Sequence, residues 1–260
     1  MRLYAVRQDH RVAAYVFVLA FLSFAYFVQG GGPNENSRYN LTRAIVEHRT
    51  LSIEAFHNNT FDKANVGDSH YSDKAPGLSF AAVPAHAMYY VLRREPWDAI
   101  AERNGMYVAT LATVSLLSAA AAAAMYLLLR HLRASMVGAL FAVTAWSLGS
   151  HALAYSTLFM GHQFVASCLL LAFSLIVCRA DVSPTHPWGR WMLAAAGGLA
   201  GWAAISEYPA ALIAAALFLY ALLRIHWRST IPFVLAALVP LGLFASYNTV
   251  CFGSPMSLSY

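Results

Sequence analysis

The sequence predicts an all-α fold, a polytopic membrane helix bundle of about seven spanning helices. A large outer loop carrying amphipathic interfacial helices is expected between the first and second spans. Three observations carry that prediction. Of 260 residues, 59% are hydrophobic and only 17 Lys+Arg and 12 Asp+Glu carry charge, against roughly 45–50% apolar and about 25% charged in a soluble domain. The mean hydropathy is +0.53. Nine of the twelve acids (Glu35, Glu47, Glu54, Asp62, Asp68, Asp73, Glu95, Asp98 and Glu102) fall within residues 30–105, which leaves apolar runs on either side.

Such a composition excludes a disordered chain, a disulfide scaffold and an ordinary cytosolic enzyme. The net charge of +5 does not point to nucleic acid. The arginines cluster in short groups between apolar runs, which is the topogenic pattern of membrane edges. Cys168, Cys178 and Cys251 are an odd number, lie in or at the ends of apolar runs and have no metal spacing. They read as small hydrophobes.

The first apolar run is Val12 to Gln29, preceded by Arg2, Arg7 and Arg11 and lacking a small-x-small cleavage site. It predicts a retained helix with its N-terminus in the cytoplasm. Further spans are predicted at about 106–129, 134–154, 159–178, 191–207, 208–223 and 229–250, each near the roughly 17–25 residues a crossing needs. Gly197-Gly-Leu-Ala-Gly201 offers a small-xxx-small face for close helix packing. Leu78–Leu92 is apolar but short, with Pro84 and His86 inside it. Placing it in the interface puts Arg2, Arg7, Arg11, Arg130, Arg133, Arg179, Arg190, Arg224 and Arg228 on one side. The organisation expected is therefore residues 1–29 as cytoplasmic N-terminus and first span, 30–105 as outer loop, and 106–260 as helix bundle. Residues 30–105, the Tyr155–His162 turn, the Glu207-Tyr208-Pro209 turn and the tail after Cys251 then share the outer face.

In the outer loop, Asn36 or Ser37 is expected to cap a helix whose Leu41, Ala44, Ile45 and His48 share one face and lie on the membrane. Glu35-Asn-Ser-Arg38-Tyr39 stands at its start. His70-Tyr71-Ser-Asp73-Lys74-Ala-Pro-Gly77 follows, directly before the interfacial segment.

These two motifs resemble those of the GT-C class of integral-membrane glycosyltransferases, in the branch of aminoarabinose transferases and protein mannosyltransferase-like enzymes. There an acid-x-x-Arg-Tyr motif precedes an acid-Lys-Pro-Pro or acid-Lys-Ala-Pro-Gly motif in the first outer loop. The resemblance is best over residues 12–165. It implies transfer of a sugar from a polyprenyl-phosphate-type lipid donor to a glycan, lipid or protein acceptor hydroxyl, outside a bacterial inner membrane. Such enzymes usually have more helices, so the chain is expected to be an N-terminal portion of a longer one.

The chemistry of the residues runs beside the resemblance. Lys74 supplies a cation for the leaving phosphate. Glu35 is the expected general base, because Lys74 should lower the proton affinity of Asp73. Asp73 is then the candidate ligand for a divalent metal such as Mg²⁺ or Mn²⁺. Arg38 either holds phosphate or pairs with Glu35 or Glu47. Tyr71, His70, His162, Glu207 and Tyr208 are candidate substrate contacts, Glu207 because an acid inside an apolar stretch is costly without a role. Asp62 and Lys63 form a second acid-Lys pair of additional interest. Two other readings differ in class: a non-catalytic lipid-binding assembly partner, and a transporter, which mid-membrane polar residues and paired repeats would mark. Neither a Gly-rich phosphate loop nor an Asp-x-Asp triplet occurs, which disfavours a soluble nucleotide-sugar donor.

Overall fold

The computed structural model describes residues 2–93, 98–183, 186 and 188–257, with residues 2–6 as backbone alone. Glu95, weighed in the charge pattern, lies outside the described residues, as do the last three of the chain. The described chain is predominantly helical, with one short hairpin.

Contacts at helix ends fix the direction of each run. α1 (Arg2–Tyr26) lies antiparallel to a continuous 33-residue helix, Ala99–His131. That helix comprises α4 (Ala99–Thr110), a π turn and α5 (Leu116–His131). Arg130 Nε meets Asp9 Oδ1 at 2.9 Å at one end, and the Tyr107 hydroxyl donates to the Ala25 carbonyl at the other. α6 (Met136–Leu148) and α7 (His151–Tyr155) return to the Tyr107 end, where Gln29 donates to Thr157. α8 (Gly161–Ala180) runs back, bringing Asp181 Oδ2 within 2.7 Å of His131 Nε2. α9 (Gly189–Ser206) goes out and α10 (Ala210–Arg224) comes back, with Arg224 3.8 Å from Asp181. α11 (Ile231–Phe252) goes out again to set Phe252 against Tyr71, ring centroids 5.7 Å apart. Glu35, Asp73, His162 and Glu207 are thus gathered at one end of the bundle, and Asp9, Arg130, Asp181 and Arg224 at the other.

Among the described residues, three helices are long and apolar enough to cross a membrane: Ala99–His131, Gly161–Ala180 and Trp227–Phe252. The other predicted spans fall short for visible reasons. α1 begins with Arg7, Asp9, His10 and Arg11, and α10 has 15 residues. The run predicted at 134–154 breaks at Gly149, where Ser150 accepts the Ala152 N–H and starts a new turn.

Close helix packing uses the glycines the sequence singled out. A Cβ on Gly197 of α9 would fall 2.6 Å from the Phe233 carbonyl carbon of α11, and one on Gly201 2.7 Å from Pro240 Cγ. Backbone can approach backbone there because no side chain intervenes.

The end that gathers Glu35, Asp73, His162 and Glu207 is a packed cap. α2 (Pro33–Arg43) begins with Pro33 at its first position and Gly32, not Asn36 or Ser37, as N-cap. Nor does it lie on the membrane by its apolar face. Leu41 is fully buried with Ile53, Tyr247 and Cys251, so the end of α11 covers that face. The strands β1 (Lys63–Val66) and β2 (Ser69–Ser72) pair antiparallel around Gly67, whose φ of +59° suits a tight turn. α3 (Gly77–Leu92) tucks Leu78 and Ala82 into the core with Tyr39, Met106 and Phe159, and leaves Met88, Val91 and Leu92 exposed.

Candidate active site

The hairpin assembles the first cluster. Its register pairs Lys63 with Ser72, so the residues just beyond, Asp62 and Asp73, converge at the open end. Lys74 Nζ sits between them, 3.1 Å from Asp62 Oδ2 and 3.3 Å from Asp73 Oδ1. All three side chains are 13–21% exposed. A hydrogen bond between the Ser72 and Ser37 hydroxyls (2.8 Å) fastens the hairpin to α2. Asp62, expected only as an additional residue, is therefore a direct neighbour of Lys74. Its sequence neighbour Lys63 faces away and contacts His57 Nδ1 at 2.8 Å.

The expectation for Asp73 is corrected in one respect. Burial pushes its carboxyl above the usual aspartate range and the Asp62 charge adds to that, so the opposing pull of Lys74 is outweighed. Charge pairing alone suggested the reverse. Sequence distance carries no information about desolvation.

Glu35 is buried on the first turn of α2, and its Oε2 accepts the Gly32 N–H at 3.1 Å. The carboxylate faces back along the helix as an N-terminal cap contact. Arg38, one turn on, pairs with neither Glu35 nor Glu47. It is 2% exposed, and its Nη2 reaches Glu207 Oε1 at 2.7 Å. Its other donors go to Asn34 Oδ1 (2.9 Å) and to the carbonyls of Ser206 (3.3 Å) and Ala75 (3.4 Å). Arg38 thus ties the first motif to the second and both to the end of α9. His162 Nδ1 lies 3.4 Å from Glu207 Oε1, its ring largely exposed. Gly161 is where Glu207 passes closest, and any side chain there would collide with its carboxylate. Tyr71 and Tyr208 reach the same end but lie against Phe252 and Phe244.

A third, buried network was not foreseen as a unit. The Tyr39 hydroxyl and His86 Nδ1 are 3.0 Å apart, and His86 Nε2 is 3.1 Å from Glu47 Oε1. Arg43 holds Glu47 at 2.9 Å and Glu102 at 3.2 Å, and stacks its guanidinium 3.9 Å over the Phe56 ring. Burial works against the Glu47 charge, but the hydrogen bonds from His86 and Arg43 prevail and hold its carboxyl below the ordinary glutamate range. Burial pushes the Tyr39 phenol up. The four-residue spacing of Arg43 and Glu47 was the available signal.

His70 lies in a fourth group, with Glu54 and His57, on the outer side of the hairpin. Its Nδ1 is 2.7 Å from Glu54 Oε2, and this contact holds the Glu54 carboxyl low. Two imidazoles and a carboxylate form a nitrogen-rich donor set. The oxygen-only site expected for a metal, Asp73, has the Lys74 ammonium against it instead. No family model, curated protein or solved structure matches the chain.

Proposed function

We propose that this chain is a membrane glycosyltransferase that moves a sugar from a polyprenyl-phosphate-type donor to an acceptor hydroxyl at the outer face. The observation that carries this reading is the Asp62–Lys74–Asp73 cluster, a lysine held between two carboxylates beside apolar helix ends. The chain has only two lysines: Lys63 begins the hairpin and Lys74 follows it by two residues. A compact ammonium suits a phosphate oxygen. On this reading the seven alternating runs all cross the bilayer, with the cap outside and the N-terminus in the cytoplasm.

The chemistry follows from the residues. The donor phosphate binds Lys74, which exchanges carboxylate for phosphate contacts. The acceptor oxygen forms its bond to the anomeric carbon as the bond from that carbon to the phosphate oxygen breaks. The electron pair leaves on the polyprenyl phosphate, where Lys74 balances the charge. The acceptor proton passes to a carboxylate. Asp73 is the better base here, since its raised proton affinity is what a general base needs, while Glu35 is engaged with Gly32.

The test is binding followed by turnover, with the full chain in lipid nanodiscs. Polyprenyl phosphate should bind, and Lys74→Ala should weaken binding at least tenfold. Equal affinity for wild type and K74A would overturn the reading. Binding that depends on Lys74 without any transfer would leave the chain a lipid-binding partner.

A further inference from the structure

The outer side of the hairpin carries a group that the sugar-transfer reading leaves unused. Glu54, His57 and His70 come from three segments: the turn after Ile53, the short helical turn His57–Asn59, and β2. One ligand atom from each lies within 4.8 Å of the other two.

Backbone contacts hold two of the three in place. The Ile53 N–H donates to the His70 carbonyl at 2.8 Å, and the His70 N–H donates to Glu54 Oε2 at 3.1 Å. His57 completes the set by stacking its ring on His70, with centroids 3.9 Å apart and planes inclined by 8°. Its Nε2 points toward Glu54 Oε1 at 3.8 Å.

From this geometry we infer that Glu54, His57 and His70 form a binding site for a borderline transition-metal ion of the zinc class. Two imidazole nitrogens and one carboxylate oxygen make the three-protein-ligand set that leaves a fourth position for water. Nitrogen donors favour zinc or copper over magnesium or calcium, which take oxygen ligands. A tetrahedral zinc site with bonds of about 2.0–2.1 Å spaces its ligand atoms roughly 3.3 Å apart. His70 Nδ1 lies 2.7 Å from one Glu54 oxygen and His57 Nε2 3.8 Å from the other, so the ligand atoms are near that spacing. The stacked imidazoles must turn out of parallel to face one ion.

Lys63 sets the terms of entry. Its ammonium contacts His57 Nδ1 at 2.8 Å and donates to the His57 carbonyl at 3.2 Å. An Nδ1 that accepts a hydrogen bond from the lysine ammonium leaves the ring hydrogen on Nε2, the atom a metal needs. Metal binding therefore requires the ring hydrogen to move to Nδ1 and Lys63 to swing away. Lys63 opposes the ion by holding His57 in the wrong tautomer, and removing it should strengthen the site.

The test titrates Zn²⁺ alone into the full chain in detergent micelles, against a chromophoric chelator. We expect one tight site per chain. His57→Ala and His70→Ala should each weaken it at least tenfold, with His57→Gln as a milder variant should the alanine form unfold. Lys63→Gln should tighten it severalfold, and Asp73→Asn should leave it unchanged. Absence of micromolar zinc binding would overturn the inference, as would tight binding that survives both histidine substitutions. Tight zinc binding lost in Asp73→Asn and kept in His57→Ala would move the metal to the Lys74 cluster and overturn it too. None of these readouts depends on sugar transfer.

Discussion

Arg38 on α2 and Glu207 at the end of α9 are 169 residues apart in sequence and 2.7 Å apart in space. The guanidinium is almost wholly buried, and its remaining donors meet a side-chain oxygen and two backbone carbonyls. An acid in an apolar stretch and an arginine in a polar motif thereby solve one another's desolvation problem. The pair locks the cap to the bundle.

Removing one partner should be costly. Arg38→Met or Glu207→Gln should each destabilise the protein by about 3 kcal/mol, the scale for breaking a buried ion pair on one side. The double variant should lose less than the sum. Thermal melting in micelles measures this, and strict additivity would mean the two residues do not act together.

Lys74→Ala should cut transfer by about 10²-fold or more, comparable to losing one oxyanion donor. Asp73→Asn should abolish transfer while polyprenyl phosphate still binds. Glu35→Gln, whose amide oxygen still accepts the Gly32 N–H, should keep most of both stability and turnover. A dead but fully stable Glu35→Gln enzyme would return the base role to Glu35.

The Glu47 carboxyl is held low in the folded state, so the unfolded chain binds its proton first as pH falls. Its contribution is fully present above the ordinary glutamate value and is lost as pH drops through the lower folded value. Melting temperatures between pH 7 and pH 3 should fall more steeply for wild type than for Glu47→Gln. Parallel curves would show that Glu47 contributes nothing to acid sensitivity.

Gly197→Ala should push α9 from α11, because the new methyl would meet Phe233 backbone rather than a yielding side chain. A loss of about 1–3 kcal/mol is expected, the range for overpacking. Gly198→Ala, with open space around it, is the control and should melt like wild type.

Cysteines placed at Ser69 and Ser183 should label from opposite sides of the membrane. Both positions are at bundle ends, one on the hairpin and one after α8. Same-side labelling would break the seven-crossing arrangement.

The helical runs were legible because apolar stretches bounded by arginine report a local property, burial in an apolar phase. The Gly197–Gly201 packing face was legible for the same reason. The hairpin was not seen, since Lys63–Val66 and Ser69–Ser72 show no apolar alternation. Its one signal was the Gly67-Asp68 pair, which favours a two-residue turn. Asp62 meeting Lys74 follows from that register, so missing the hairpin meant missing the cluster. Arg38–Glu207 was beyond reach for another reason. Which charge meets which across 169 positions is decided by helix packing, and no local pattern encodes it.

The helix Ala99–His131 has 33 residues, about 50 Å at 1.5 Å per residue. A bilayer's hydrocarbon layer takes up only about 30 Å of that. On the membrane-spanning reading the remaining length projects beyond that layer as a stiff post, with the cap packed against its α4 end through Arg43–Glu102 and Tyr89–Ala101. On the lipid-donor reading, the height of Lys74 over the head groups is then a constant of the molecule. A carrier phosphate must arrive at that one depth, so the enzyme would select among lipid donors by how far their sugar stands from the membrane.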